Sequence, residues 1–243
     1  MSEMKVRNYY ESIKSSIKSA QKYVECEDQD DLVKSVNILS RDFGLPFLQT
    51  VSFSGYRYKY IDHKNGLLKN EELLSFINSF EAGIFDVFKE QSIFYGFQLN
   101  LLKSLIKAYE NGFFEACLPG AFTLIESALS QFDYEDDIPN AKERVRYNQR
   151  VIKDKFKSLE FGLELSASLK SVSGLLDYYF KPVDFQKFEE PTDVNRHWLQ
   201  HGRHIALIVD KSMALKIFGF LATVIQTIEL FHYEYPPYDE LHD

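Results

Sequence analysis

Apolar residues recur every three or four positions along most of the chain, which is the spacing of one face of an α-helix. Residues 97–109 show this pattern well, with Leu99, Leu102, Leu105 and Ile106 on adjacent turns. The same spacing predicts helices over residues 5–26, 31–42, 71–90, 97–109, 113–132, 141–156 and 159–179. A last helix is predicted from an N-cap at Asp210 to about Tyr233.

Residues 47–61 follow a different pattern. Aromatic residues alternate there at Tyr56, Tyr58 and Tyr60, which predicts a strand or hairpin with one packed face. Asn65 and Gly66 mark a turn directly afterwards. The sequence therefore predicts a mainly α protein, with a helical bundle over residues 66–243 and a small α/β region over residues 1–65.

Composition is that of an ordinary globular protein, with 45% hydrophobic and 26% charged residues, and it excludes disordered and collagen-like classes. Cys26 and Cys117 are far apart, which disfavours a disulfide framework and suits a reducing compartment. The polar first ten residues lack the apolar core of a signal peptide. The apolar run at residues 217–225 is too short to span a bilayer. A cytoplasmic protein without a membrane partner is expected.

Charge is unevenly distributed along the chain. The formal net charge is -8, which disfavours a broad nucleic-acid-coating surface. Residues 141–157 are the exception, because seven basic residues there face only two acidic ones. This segment is predicted to contact RNA, although a solvated helix face is the alternative. The residues expected to contact RNA are Arg144, Arg146, Tyr147, Arg150 and Lys153.

Residues 195–204 concentrate the side chains that could carry chemistry. They hold three of the six histidines and the only tryptophan. A histidine can accept and donate a proton near neutral pH. An arginine stays charged and can form two parallel hydrogen bonds to phosphate oxygens. Together these side chains suit the cleavage of a phosphodiester bond.

The order of residues in this cluster resembles the signature of the HEPN superfamily (higher eukaryotes and prokaryotes nucleotide-binding domain). That signature is an arginine, a polar residue, a short spacer and a histidine. Arg196, His197 and His201 occupy these places, between Asn195 and Gly202 and before the final helix. The resemblance covers about residues 66–235, and the helix predicted over residues 113–132, which contains Glu126, resembles the upstream helix of the family.

The resemblance implies a metal-independent endoribonuclease that works without a cofactor, as a homodimer whose two motifs face one cleft. His201 would act as general base or acid at the ribose 2′-hydroxyl, and Arg196 would hold the scissile phosphate. Asn195 and His197 would assist, and Arg203 would contact RNA. Members of the family commonly serve as toxins or phage-defence effectors, so an antitoxin or another regulatory protein is a further expected partner.

Two other interpretations of the cluster stay open. In a non-catalytic HEPN-fold dimerisation or regulatory module, Arg196 would pair with a core carboxylate and His201 would cap a helix end. In a zinc site, His197 and His201 would lie four residues apart on one helical face, with His204 as a possible third ligand. Arg57 and His63, six residues apart, also fit the arginine–histidine signature, but that match is set aside because it falls on the predicted strand.

Overall fold

A computed structural model describes residues 29–51, 53–90, 93–132, 163–182, 190–204 and 207–234. The protein is mainly α-helical, and no strand lies among these residues. The helices, numbered in chain order within the described ranges, are α1 (Gln29–Phe43), α2 (Phe53–Lys64), α3 (Asn70–Asn78), α4 (Glu81–Glu90), α5 (Gly96–Glu110), α6 (Phe114–Leu129), α7 (Leu163–Tyr179), α8 (Arg196–Gln200) and α9 (Lys211–Glu234).

Helices α6, α7 and α9 form the centre of the bundle, and α1 packs closely along α7. Gly174 of α7 permits this close approach. A Cβ atom at position 174 would lie 2.9 Å from the backbone nitrogen of Arg41 and from the backbone oxygen of Asn37. A larger residue at this point would push the two helices apart.

The connection between α1 and α2 is buried but not helical, so its backbone polar groups need partners. Side chains supply them. Ser40 donates to the Leu45 carbonyl at 2.7 Å, and the hydroxyl of Ser171 accepts from the Phe47 N–H at 3.0 Å. Tyr56 donates to the Pro46 carbonyl at 2.6 Å. These contacts stabilise an irregular segment inside the core.

The strand predicted over residues 47–61 is wrong, because residues 53–64 form helix α2. Phe53, Tyr56 and Tyr60 are also spaced three and four apart, so the same aromatic residues suit one helical face. Tyr56 is fully buried whereas Tyr58 is 67% exposed, which a strand with both on one face would not allow. The α/β character expected for the N-terminal region therefore fails where the structure describes it.

This correction also removes the reason for setting aside Arg57 and His63, which lie on a helix after all. Six residues turn an ideal helix by about 240°, so the two side chains leave α2 in different directions. The ring of His63 packs against that of Phe43, with centroids 5.0 Å apart. Arg57 and His63 therefore match the signature in sequence, and the His63 ring is engaged with Phe43.

Several predicted helices are confirmed. They are the helices predicted over residues 31–42, 97–109 and 113–132. The last of these ends in a 3-10 turn at Ser130–Phe132. Asp210 caps the final helix, since its carboxylate accepts from the Met213 N–H at 2.8 Å. Residues 71–90 form two helices rather than one. The helices predicted over residues 5–26 and 141–156 lie outside the described residues.

The turn at Asn65 and Gly66, proposed as a domain boundary, connects α2 with α3, and Gly66 adopts φ +67°. Residues on both sides of it share one hydrophobic core, in which Leu39 and Phe47 pack with Ile77 and Phe80. By length and composition, residues 211–231 of α9 could cross a membrane, but most of that stretch is buried in the protein, as in a core helix of a soluble protein.

Candidate functional site

Asn195 starts the short helix α8. Its side-chain oxygen accepts from the backbone N–H groups of His197 at 3.0 Å and Trp198 at 3.3 Å, which satisfies two donors at the helix start. Its side-chain nitrogen donates to the Lys181 carbonyl at 3.1 Å. Asn195 is 4% exposed. Its amide therefore fixes the helix that carries Arg196 and links it to the end of α7.

His201 and Gly202 end α8. His201 is the C-cap residue, and its N–H donates to the His197 carbonyl at 3.2 Å. Gly202 adopts φ +61°, which favours glycine, and the next N–H, of Arg203, donates to the Trp198 carbonyl at 2.9 Å. The helix therefore ends at Gly202, and His201, Gly202 and Arg203 are exposed.

Trp198 anchors α8 to the bundle, with only 5% of its surface exposed. An ideal helix turns 100° per residue, so Arg196, His197 and Gln200 lie within a 100° arc on the side away from Trp198. One face of this helix is thus buried against the bundle. The other carries the charged and titratable groups of the cluster.

Arg196 is the most constrained of these groups. Its Nε donates to a carboxylate oxygen of Glu126 on α6, 70 residues earlier in the chain. Its Nη1 lies 3.2 Å from Nδ1 of His197, and its guanidinium lies 5.8 Å from the centre of the Phe180 ring. Nη2 makes no hydrogen bond to the described residues. The guanidinium is therefore fixed through Nε and Nη1.

The Arg196 contact also sets the state of His197. A guanidinium only donates, so Nδ1 of His197 must accept, and the neutral ring then carries its proton on Nε2. His197 is half-buried. The side chain of Arg196 is 12% exposed and that of Glu126 is 20% exposed. Glu126, Arg196 and His197 therefore form a chain of contacts at the surface of α6 and α8.

His204 holds the far end of the cluster. Its Nε2 lies 3.4 Å from the backbone N–H of Asn195, and its Nδ1 lies 3.0 Å from a carboxylate oxygen of Glu190. Because the Asn195 N–H can only donate, Nε2 accepts and Nδ1 carries the proton given to Glu190. Its side chain is 6% exposed and its ring lies 5.8 Å from that of Trp198. His204 thus ties the two ends of α8 together.

The three histidines of the cluster have three different environments. His197 contacts Arg196, His204 contacts Glu190, and His201 is exposed at the helix end. Within the described ranges, no group of three or more histidine, cysteine or carboxylate side chains is placed to hold a metal ion. The zinc interpretation therefore gains no geometric support from His197, His201 and His204.

The other residues expected at the site divide into two sets. Arg203 is exposed directly after α8. Arg144, Arg146, Tyr147, Arg150 and Lys153 lie outside the described residues. Asp193, two residues before the N-cap of α8, accepts from the Tyr178 hydroxyl at 2.6 Å. Burial, with help from this bond to the Asp193 carboxylate, raises the pKa of Tyr178.

Sequence reasoning missed the contacts of Glu126, Glu190 and His204. From the sequence, Glu126 is only one residue of a helix that resembles the upstream helix of the family. A separation of 70 residues between Glu126 and Arg196 leaves no local spacing to detect. His204 and Glu190 are 14 residues apart, across a segment without regular periodicity. Only the excess of histidine in residues 195–204 signalled that His204 belonged to the same unit.

Cys117 lies away from this cluster and is fully buried. Burial, followed by the nearby Glu115 carboxylate, raises the pKa of the thiol to about 11. A thiol with a raised pKa is a poor nucleophile at neutral pH. Cys117 is therefore a core residue, and Cys26 lies outside the described residues.

Comparison with known proteins gives no match. No family model matches the chain, no curated protein resembles it significantly, and no solved structure does.

Proposed function

We propose that this protein is a HEPN-type, metal-independent endoribonuclease that works as a homodimer. The observation that carries the proposal is the environment of Arg196. Glu126 fixes its guanidinium at Nε, and Nη2 makes no hydrogen bond to the described residues. A positively charged fork that is held before the ligand arrives suits the stabilisation of a phosphate that gains charge in a transition state.

The proposed reaction is attack of the ribose 2′-hydroxyl on the adjacent phosphorus. The 2′-oxygen forms the new bond to phosphorus while the bond to the 5′-oxygen breaks. One His201 of the dimer accepts the proton of the 2′-hydroxyl, and the second donates a proton to the departing 5′-oxygen. The products are a 2′,3′-cyclic phosphate and a 5′-hydroxyl. DNA lacks the 2′-hydroxyl and is not cleaved.

The neighbouring residues support Arg196 and His201 in this proposal. His201 is exposed, so it can reach RNA without a rearrangement of the core. Asn195 caps the helix and His197 accepts from Arg196, so both act on the reaction by positioning the arginine. Arg203, exposed beside His201, adds a cation for the RNA backbone. The basic segment at residues 141–157 is proposed as a further contact with RNA.

A non-catalytic helical dimerisation or regulatory module is the second candidate. Two observations favour it: Arg196 pairs with the Glu126 carboxylate, and His201 is the C-cap of α8. Both contacts are expected if the cluster only stabilises the bundle. This candidate predicts no RNA cleavage and only a loss of stability when either residue is replaced.

Cleavage of total RNA by the purified protein with EDTA present separates the candidates. Wild type is compared with Arg196→Ala, Arg196→Lys and His201→Ala, and circular dichroism verifies the fold of each variant. Lysine keeps the charge but loses the fork, so it tests phosphate positioning where alanine could unfold the helix. The Arg57→Ala/His63→Ala double variant is the matched control, because it removes the same residue types from another helix, six residues apart instead of five.

The nuclease predicts cleavage that persists in EDTA, leaves cyclic phosphate ends, survives in the control and is lost in the three site variants. No cleavage by wild type, or equal cleavage by folded site variants, contradicts it. We further propose a cytoplasmic toxin or phage-defence role, held in check by an antitoxin or other regulatory protein. Expression in a bacterial host should then slow growth with wild type and not with His201→Ala.

A further inference from the structure

Two large aromatic side chains stand in solvent at the start of α5. Tyr95 is 74% exposed and Phe97 is 77% exposed. Scattered exposed apolar residues are normal on a protein surface, but two aromatic rings within three residues form a local patch. The patch lies near Arg196, because Gln98 contacts the residue next to the carboxylate partner of Arg196.

The start of α5 lies against the same turn of α6 that holds Arg196. The side-chain nitrogen of Gln98 donates to the Ser127 hydroxyl at 2.5 Å. Glu126, the neighbour of Ser127, binds Arg196. Thus α6 contacts α5 on one side and α8 on the other, within two consecutive residues.

Between these two contacts lies an exposed stripe, formed by Pro119 and Thr123 of α6 and by Ser130, which caps its C-terminal end. At 100° per residue, Thr123 and Ser130 leave the helix between the directions of Glu126 and Ser127. The stripe therefore forms the floor of a shallow groove. One wall is the start of α5 and the other is α8 with Arg196, about one helix diameter, ~10 Å, away.

Phe97 lies on the edge of α5 that borders this groove. It is one turn before Leu101, on the same face of the helix. Leu101 packs against α6 at Gly120, where a Cβ atom would lie 3.4 Å from one of its methyl groups. The same face of α5 that rests on α6 at Leu101 thus presents the Phe97 ring beside the exposed stripe.

The chemistry of the groove suits a strand that carries both rings and phosphates. On the floor, Thr123 and Ser130 donate to backbone carbonyls at 3.0 and 2.6 Å, so their oxygen lone pairs remain available to accept hydrogen bonds. The Glu126 carboxylate is offset by Arg196. An aromatic wall faces a wall with the Arg196 guanidinium and the exposed Arg203, and aromatic rings with basic side chains are the combination used to bind single-stranded nucleic acid.

We propose that this groove binds single-stranded RNA, with a base stacked on Phe97 and a phosphate at Arg196. The inference rests on the proposed nuclease function and adds a base-binding subsite to it. Stacking on a phenylalanine involves no hydrogen-bond readout, so the subsite accepts any base. Tyr95 is the neighbouring ring for the next base of the strand.

The test is binding of a fluorescein-labelled single-stranded 2′-O-methyl RNA of mixed sequence, followed by anisotropy. This probe has no free 2′-hydroxyl, so binding is measured separately from cleavage. Phe97→Ala should weaken binding roughly 5- to 150-fold, the range for loss of one stacked base. Phe97→Tyr should bind as wild type does. Phe113→Ala is the matched control, since Phe113 is 63% exposed at the other end of α5 and should have no effect.

An abasic version of the probe should bind equally weakly to wild type and Phe97→Ala. The inference is overturned if wild type does not bind the probe, if Phe97→Ala or Phe97→Leu binds as tightly as wild type, or if Phe97→Ala only converts a dimer to a monomer. RNA cleavage with binding insensitive to Phe97 contradicts the subsite alone. Phe97-dependent binding without cleavage contradicts the nuclease alone.

Discussion

Arg196 shows how one contact decides the role of a residue. Surface ion pairs contribute little to stability, but Arg196 and Glu126 are only 12% and 20% exposed. Removal of one partner leaves the other charge poorly solvated. The same contact would hold the arginine ready for a phosphate. The Arg196–Glu126 pair is therefore tested by two measurements, the stability of the protein and its activity on RNA.

The strength of the pair is measured with a double-mutant cycle of Glu126→Gln and Arg196→Met. We expect a coupling free energy above ~1 kcal/mol from urea unfolding of the four proteins. The Lys59–Glu72 pair is the control, because its N–O distance is 3.1 Å but its carboxylate is 42% exposed. Its coupling should be smaller, and equal couplings would contradict the importance assigned to burial.

His204 is expected to hold Trp198 in its buried environment. Trp198 is the only tryptophan in the chain, so its fluorescence reports on α8 alone. The variant His204→Ala removes the ring packed against Trp198 and the acceptor for the Asn195 N–H. Tryptophan emission should shift to longer wavelength as water reaches the indole.

The variant His201→Ala is the control for this measurement, since His201 is exposed and its backbone makes the cap contact. Its emission should match that of wild type. Identical spectra for His204→Ala and wild type would show that His204 does not secure the helix. A second measurement, the nitrogen chemical shifts of the His204 ring, should give the tautomer with the proton on Nδ1.

Cys117 is expected to be unreactive in the folded protein. Burial raises the pKa of its thiol to about 11, so the thiolate is a small fraction at pH 8 and grows only as pH approaches that value. In a Cys26→Ser background, Ellman's reagent should react slowly with the folded protein at pH 8 and rapidly in urea. Fast labelling of the folded protein would contradict the burial.

At the scale of elements, periodicity predicted the helices whose apolar faces are long and continuous, such as α5, α6 and α9. It failed at α2 because five aromatic and β-branched residues lie within residues 53–61. Their positions fit both the two-residue period of a strand and the 3.6-residue period of a helix. It also could not show that residues 44–48 are buried without being helical. That depends on Ser171, Tyr179 and Thr223, which donate to or accept from this segment across more than 120 residues.

The candidate site divides in the same way. The end of α8 at Gly202 follows from a local backbone rule. Its N-cap does not, because Thr192, Asp193 and Asn195 all have side chains that suit this position, and the structure uses Asn195. The partner of Arg196 could not be predicted from the sequence, because any acidic residue in the chain could form an ion pair with an arginine. Only packing of α8 on α6 selects Glu126.

Helix packing makes its own prediction at Gly174. Replacement by alanine usually stabilises a helix by up to ~1 kcal/mol. At Gly174 the new methyl group would meet backbone atoms of α1 at 2.9 Å, which cannot move independently. We expect a net loss of about 2 kcal/mol in the free energy of unfolding, from thermal or urea denaturation.

Gly120 is the matched control for Gly174, because it is also inside a helix. There a Cβ atom would lie 2.7 Å from a methyl group at the end of the Leu105 side chain, which can rotate away. The variant Gly120→Ala should change stability much less. An equal or greater loss at Gly120 would contradict the close packing of α1 on α7.

At the scale of the whole molecule, α1 and α2 belong to the same core as the later helices. Leu39, Phe47 and Tyr56 are buried among residues of the bundle, and Ser40 bonds to Ser171 at 2.8 Å. A region with so many shared contacts cannot lose its structure without exposing the core of the rest. Two domains that meet near residue 65 would unfold in two separate transitions. The shared core favours a single transition.

Urea unfolding followed by two probes tests this point. Circular dichroism reports on all helices, whereas Trp198 emission reports on α8 at the other side of the proposed boundary. One cooperative core predicts coincident transitions with the same midpoint. Gly174→Ala, which acts at the contact between α1 and α7, should lower both midpoints equally. If circular dichroism alone shifts, residues 29–64 unfold independently, and the N-terminal region is a separate unit attached to the domain that carries Arg196 and His201.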